Sequence, residues 1–258
     1  MKKNKQQTNK ATPHLTFHKL DWLEYRAIGI GLWFIIYPKP YIFLFSVLLV
    51  MPVMGLVLNG FQKPSIASLV EITKDKGGDN DYDVADFIDL PAWIIGVRIL
   101  MDFEFESYFS VLIPGTIAFI IMLVILFSTH KLIQQSPKNK FWIYSSLIFN
   151  IWLYSFAATY GVNCVYDRSD PEVYDAEVVS KHINRGRKHT SYYVRVTPWG
   201  HHYDAEDIKV SKEQYHELEQ GDAIKIDLKK GLFNIPWYYI ERGTRRTYST
   251  IESPPPVP

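Results

Sequence analysis

The sequence predicts an α+β membrane protein: a helical transmembrane region of about three spans with interfacial helices, followed by a small soluble β-barrel or rolled sheet. Three observations carry that prediction. The stretches 41–61, 108–129 and 141–164 contain no Asp, Glu, Lys or Arg, and each is long enough to cross a hydrocarbon core of about 30 Å. After residue 167 the texture changes to short runs in which apolar and polar residues alternate, the pattern of half-buried strands. The mean hydropathy of −0.07 lies between that of a water-soluble domain and that of a pure helix bundle.

The elements follow in chain order. Residues 1–19 are basic and polar, with no apolar core or cleavage site at signal-peptide distance, and read as a retained flexible tail. The helical membrane domain is expected over 20–166. Its first part, 20–37, mixes Asp21, Glu24 and Arg26 with Trp22, Ile30, Trp33 and Phe34 and is then broken by Pro38-Lys39-Pro40. An amphipathic helix lying in the headgroup region fits that mixture, with a two-pass hairpin over 20–61 as the alternative. Pro52 and Gly55 are tolerable inside the first span if neighbouring helices cover the freed carbonyls. The acidic segment 62–106 includes the piece 92–101, interrupted by Arg98, which is expected to rest on the membrane surface or to pack beneath the bundle.

Charge placement predicts sidedness. The net charge of +1 excludes a global basic field and gives no reason to expect nucleic acid as a partner. Lys2, Lys3, Lys5, Lys10 and Lys19 crowd the N-terminus, and Lys131, Lys138 and Lys140 crowd the loop between the last two spans. The positive-inside rule makes both cytoplasmic in a bacterial inner membrane, and three spans then leave the acidic segment and the C-terminal domain outside. A four-span hairpin version would place that domain inside.

The soluble domain is expected over 167–244, with a Pro-rich tail over 245–258. Strands are predicted at 173–183, 191–197, 207–210, 223–228 and 237–241, separated by Gly- and Pro-bearing turns. Ser211-Lys212-Glu213-Gln214 has the spacing of a capping box and predicts a short helix over 212–218 that seats Tyr215 and Leu218 on the core.

Motifs that carry chemistry are few. Asp79, Asp81 and Asp83 alternate like the start of a calcium loop, but Val84 stands where that loop turns on glycine and Leu90 where a glutamate closes it. His201, His202, Asp204, Glu206, Asp207 and His216 cluster in sequence without a metal-ligand spacing. Cys164, the single cysteine, excludes an internal disulfide and reads as a packed thiol. Asn150, Thr159 and Asn163 are the polar residues of the last span and are expected to bond between helices. Asp102, Glu104 and Glu106, alternating with Phe103 and Phe105, read as a charged collar before the second span. No nucleophile elbow or phosphate-cradling glycine loop is present, so neither a catalytic site nor a cofactor is expected.

Lys181, Arg185, Arg187, Lys188 and His189 form a basic hairpin tip. With Trp199 and Tyr203, Arg187 and Lys188 make the expected partner-binding surface, because aromatic and Arg side chains dominate interface energetics. The runs Asp175-Ala176-Glu177-Val178-Val179, Tyr192-Tyr193-Val194-Arg195-Val196, Gln220-Gly221-Asp222-Ala223-Ile224-Lys225-Ile226 and Gly231-Leu232-Phe233-Asn234-Ile235-Pro236-Trp237-Tyr238 resemble the soluble module of uncharacterised bacterial inner-membrane proteins of the Bacteroidota type. That resemblance, over the last third of the chain, implies bacterial origin and membrane placement and brings no activity. The expectation is therefore a non-enzymatic scaffold in the lipid bilayer whose β domain binds an envelope protein, itself a candidate homo-oligomer. A transporter or channel subunit and a membrane-embedded metal hydrolase are the alternatives.

Overall fold

In the computed structural model, residues 22–63, 66–74, 80–129, 140–186 and 190–242 are described. The two compact units into which the chain divides are taken in turn.

The first unit contains α1 (Trp22–Ile36), α2 (Tyr41–Gly60) and a hairpin of β1 (Val70–Lys74) and β2 (Asn80–Val84). It also holds the start of α3 (Asp86–Asp102), the end of α4 (Leu112–Thr129) and the start of α5 (Lys140–Val165). Leu23, Ala27, Gly31 and Phe34 form one buried stripe of α1. Helix α1 packs on α2, and Phe34 meets Tyr41 edge-on at 5.0 Å. The outward face of α1 is apolar as well, with Trp22, Tyr25, Leu32, Trp33 and Ile36 exposed. Apart from Glu24 and Arg26 near its start, the helix is apolar on both faces, which suits lipid rather than water. Gly55 on α2 leaves the room that the Phe87 ring occupies. At the C-terminal end of α2, buried Asn59 donates from Nδ2 to the carbonyl of Thr129, the last residue of α4, at 2.7 Å. The acidic stretch read as a loop is a β hairpin, pairing Val70 with Val84 through Lys74 with Asn80.

Three helical stretches are long and apolar enough to cross a membrane: Tyr41–Gly60, Tyr108–Thr129 and Phe141–Val165. They coincide with the three charge-free runs of the sequence.

The second unit carries the large antiparallel sheet. Strands β4 (Glu172–Arg185), β5 (Thr190–Val196) and β6 (Glu206–Val210) form a meander, helix α6 (Lys212–Glu217) follows, and β7 (Ala223–Lys229) and β8 (Trp237–Arg242) return to the other edge of β4. Each predicted strand is present within a few residues. Long β4 serves both halves of the sheet: 172–177 pair with β7, 178–185 pair with β5, and the register shifts between Val178 and Ser180. That irregularity bends the strand and lets one sheet roll into a nearly closed barrel. Meander, helix and hairpin wrap back on the first strand, and connectivity alone carries no activity.

Ala176, Val178, Val194, Val196, Ile208, Val210, Leu218, Ile224, Ile226 and Trp199 fill the barrel. The capping box is complete, with Ser211 Oγ accepting from the Gln214 amide at 3.1 Å and Gln214 Oε1 accepting from the Ser211 amide at 3.0 Å. Tyr215 and Leu218 seat on the core as expected.

One strand of this sheet was not anticipated. Glu104 and Phe105, read as part of a collar, form β3 and pair with Tyr238 and Trp237 of β8, giving the sheet order β3-β8-β7-β4-β5-β6. The alternation of acids and phenylalanines is strand periodicity, in which the phenylalanines share one face and the acids the other.

Candidate functional site

The densest polar construction among the described residues is the seat that fixes the barrel to the ends of α4 and α5. The last carbonyls of a helix lack intrahelical partners, and the β7–β8 loop supplies one. The Leu232 amide donates to the Asn163 carbonyl at 3.1 Å. The side chain of Asn163, fully buried, does the rest: Oδ1 accepts from the Phe233 amide at 2.8 Å and Nδ2 donates to the Ile235 carbonyl at 2.8 Å. Gly231 lies against that amide in the left-handed region, with φ of +73°, and a Cβ there would overlap Asn163 and the Ile235 carbonyl.

One turn on, Asp167 extends the seat. Its Oδ2 accepts from the Gly231 amide at 3.1 Å and from the Trp237 indole at 3.0 Å, and its Oδ1 accepts from the Ser169 amide at 2.8 Å. Burial pushes this carboxyl up, but the bonds from Ser169 and Trp237 and the charge of Lys229 outweigh it, and it rests below the ordinary aspartate value.

Strand β3 makes the second attachment. Phe105 stacks on Tyr160 of α5 with centroids 3.6 Å apart, Phe103 meets Trp237 edge-on at 5.1 Å, and the Tyr160 hydroxyl donates to the Glu104 carbonyl at 3.3 Å. Because β3 leads directly into the helix that begins at Tyr108, the barrel is bound to both membrane-type helices of this unit. A charged seam joins β3 towards β6 at the far edge: Lys209 Nζ lies 3.8 Å from Glu104 Oε1, and His202 sits between Glu206 (2.8 Å) and Glu106 (3.8 Å). Burial raises the Glu104 carboxyl and Lys209 partly offsets it.

The expected site residues fare unequally. Trp199 is 3% exposed. It packs against Tyr238 at 5.3 Å and Tyr174 at 5.9 Å, and its ring stacks on His202 at 4.6 Å. The tight turn at Gly200, φ +53°, folds it inward, so it is a core residue and not a surface contact. Tyr203 is 90% exposed and remains available. Arg187 and Lys188 lie outside the described residues. Lys181, at the base of that basic tip, is engaged with the Leu218 carbonyl and lies over the Tyr215 ring.

In the last span Thr159 donates back to the Ser155 carbonyl of its own helix at 2.7 Å, and Asn150 is buried. Asn163 bonds to the barrel rather than to another helix. Among the described residues no group of three His, Cys, Asp or Glu is placed to hold a metal ion. Of the suspected calcium loop, Asp79 lies outside the described residues and Asp83 accepts from the Val84 amide. No family model, curated protein or solved structure matches the chain.

Proposed function

We propose that the chain is an integral protein of a bacterial inner membrane, a non-enzymatic scaffold that holds its barrel at a fixed height outside the bilayer for an envelope partner. The observation that carries this reading is the double attachment through Asn163 with Asp167 and through β3. A domain on a flexible linker searches a volume, whereas one hydrogen-bonded to its helix ends presents one surface at one distance. Tyr203, the most exposed aromatic residue of the barrel, is the marker for that surface. Replacing Tyr203 by a photo-crosslinking phenylalanine in living cells is expected to give one discrete adduct with another protein. An adduct of twice the chain mass would mean self-association instead, and an absence of adducts at Tyr203, Arg195 and Lys212 alike would remove the scaffold reading.

The same reading includes a topology of five crossings. The C-terminal ends of α2 and α4 meet at Asn59 and Thr129, so two spans ending on one face require the intervening chain to cross once more. Helix α3 supplies that crossing. Its 17 residues reach about 25 Å, the short end of what a span needs. Asp86 and Asp89 stand in its first turn, and Arg98 pairs with Asp102 at 2.7 Å near its end. Helix α1, 15 residues long, joined to α2 by a short turn and apolar on its outer face apart from Arg26, is the other added crossing. Two additions restore the parity of the three-span expectation. The basic tail and the basic loop both stay cytoplasmic, the barrel stays outside, and only the acidic β1–β2 hairpin changes sides. Phe61→Cys and Tyr203→Cys separate the two readings by labelling intact cells with an impermeant maleimide, since Cys164 is buried. Five crossings protect position 61 and expose 203; labelling at both positions restores three spans.

A further inference from the structure

We infer that the β7–β8 loop is a membrane-inserting wedge, with Leu232 and Phe233 buried in the interfacial and upper acyl region and Lys230 at the phosphate level. The inference rests on the membrane reading above. Asn163 belongs to the span Phe141–Val165. Its backbone carbonyl and its side chain take the amides of Leu232 and Phe233. The tip of the loop therefore lies beside the last turn of a spanning helix, at the depth of that turn and not above it.

At that depth the loop shows two large apolar side chains, with Asn234 exposed beside them. Leu232 is 52% exposed and Phe233 45% exposed, although a turn between two strands ordinarily carries polar residues. The backbone of the same turn is already bonded inward to Asn163 and Asp167, so the tip meets lipid with its amides largely satisfied, as a hydrocarbon environment demands. Lys230, exposed, and Lys229, half-buried over the Trp237 ring at 5.5 Å, stand just before the apolar pair. That order, cation and then apolar tip, matches a headgroup layer with hydrocarbon beneath it.

The occupant is lipid rather than protein because the patch continues a surface that lipid already covers. Tyr108 and Phe109, 67% and 79% exposed, open the span that begins where β3 ends, and Phe105 contacts both Tyr108 (4.7 Å) and Tyr160 (3.6 Å). The start of α4 and the end of α5 thus share one membrane face, and the loop adds two side chains to its aromatic and apolar belt.

The test places an environment-sensitive fluorophore on the full-length protein at Leu232→Cys and, separately, Phe233→Cys, reconstituted in vesicles of phosphatidylethanolamine and phosphatidylglycerol. Ile121→Cys on the outward face of α4 serves as the lipid reference and Tyr203→Cys as the aqueous one. Both loop probes are expected to be quenched by shallow spin-labelled lipid and to resist aqueous iodide at least several-fold better than the probe at 203. Iodide quenching at 232 and 233 equal to that at 203, with the 121 probe still lipid-quenched, would overturn the wedge and leave the membrane reading intact. A 121 probe open to iodide would sink both.

Discussion

Asn163 uses its side-chain oxygen and nitrogen on two backbone groups of a loop some 70 residues further along the chain. Asn163→Ala would strand a half-buried amide and a buried carbonyl. The expected loss is about 3 kcal/mol, read as a lowered thermal midpoint in detergent, and a change within error would show that the seat contributes little. Asp167 sets a pH dependence. Its carboxyl is held below the unfolded aspartate value, so its stabilisation is complete above that unfolded value and lost as pH falls through the folded one. Asp167→Asn should flatten the acid limb of the stability profile, measured by Trp fluorescence. These roles were only half legible: a polar residue in a charge-free run is visible from composition, but its partner is set by a tertiary contact. Trp199 went the other way, because an aromatic beside Pro198 and Gly200 reads as a surface turn until the fold shows the turn facing inward.

At the scale of elements, the barrel strands and α6 were legible because alternation, turn residues and a capping box all agreed. Strand β3 carried its signal openly in Asp102-Phe103-Glu104-Phe105-Glu106 and was missed because it was judged as a helix face, where residues two apart diverge. Its two residues contribute more than their length suggests. Phe105→Ala would remove the stack on Tyr160, at a cost of about 2 kcal/mol. Hydrogen exchange should then rise first at Tyr238, whose amide faces β3 in the register that Glu106 and Pro236 set, and not at Trp237, whose amide faces β7. Uniform exchange across the barrel would contradict that local role.

At the scale of the whole molecule, charge-free length identified three candidate spans, and the same three stretches are helices long and apolar enough to cross a membrane. The same view predicts how a truncated chain behaves. A fragment of residues 167–242 lacks β3 and the α5 seat and leaves one side of β8 unpaired, an edge that invites association. It should self-associate on size-exclusion chromatography, whereas a monodisperse fragment as heat-stable as the barrel in the full chain would show that the attachments are dispensable.

The pairing of residues 104 and 105 with 238 and 237 also orders biogenesis. During synthesis β3 emerges before the last two candidate spans and β8 after them. The strand must therefore wait, unpaired, until β8 has been made. On the topology proposed above, barrel closure then acts as an assembly checkpoint, since a chain with a misplaced span would carry β3 and β8 on opposite sides of the bilayer.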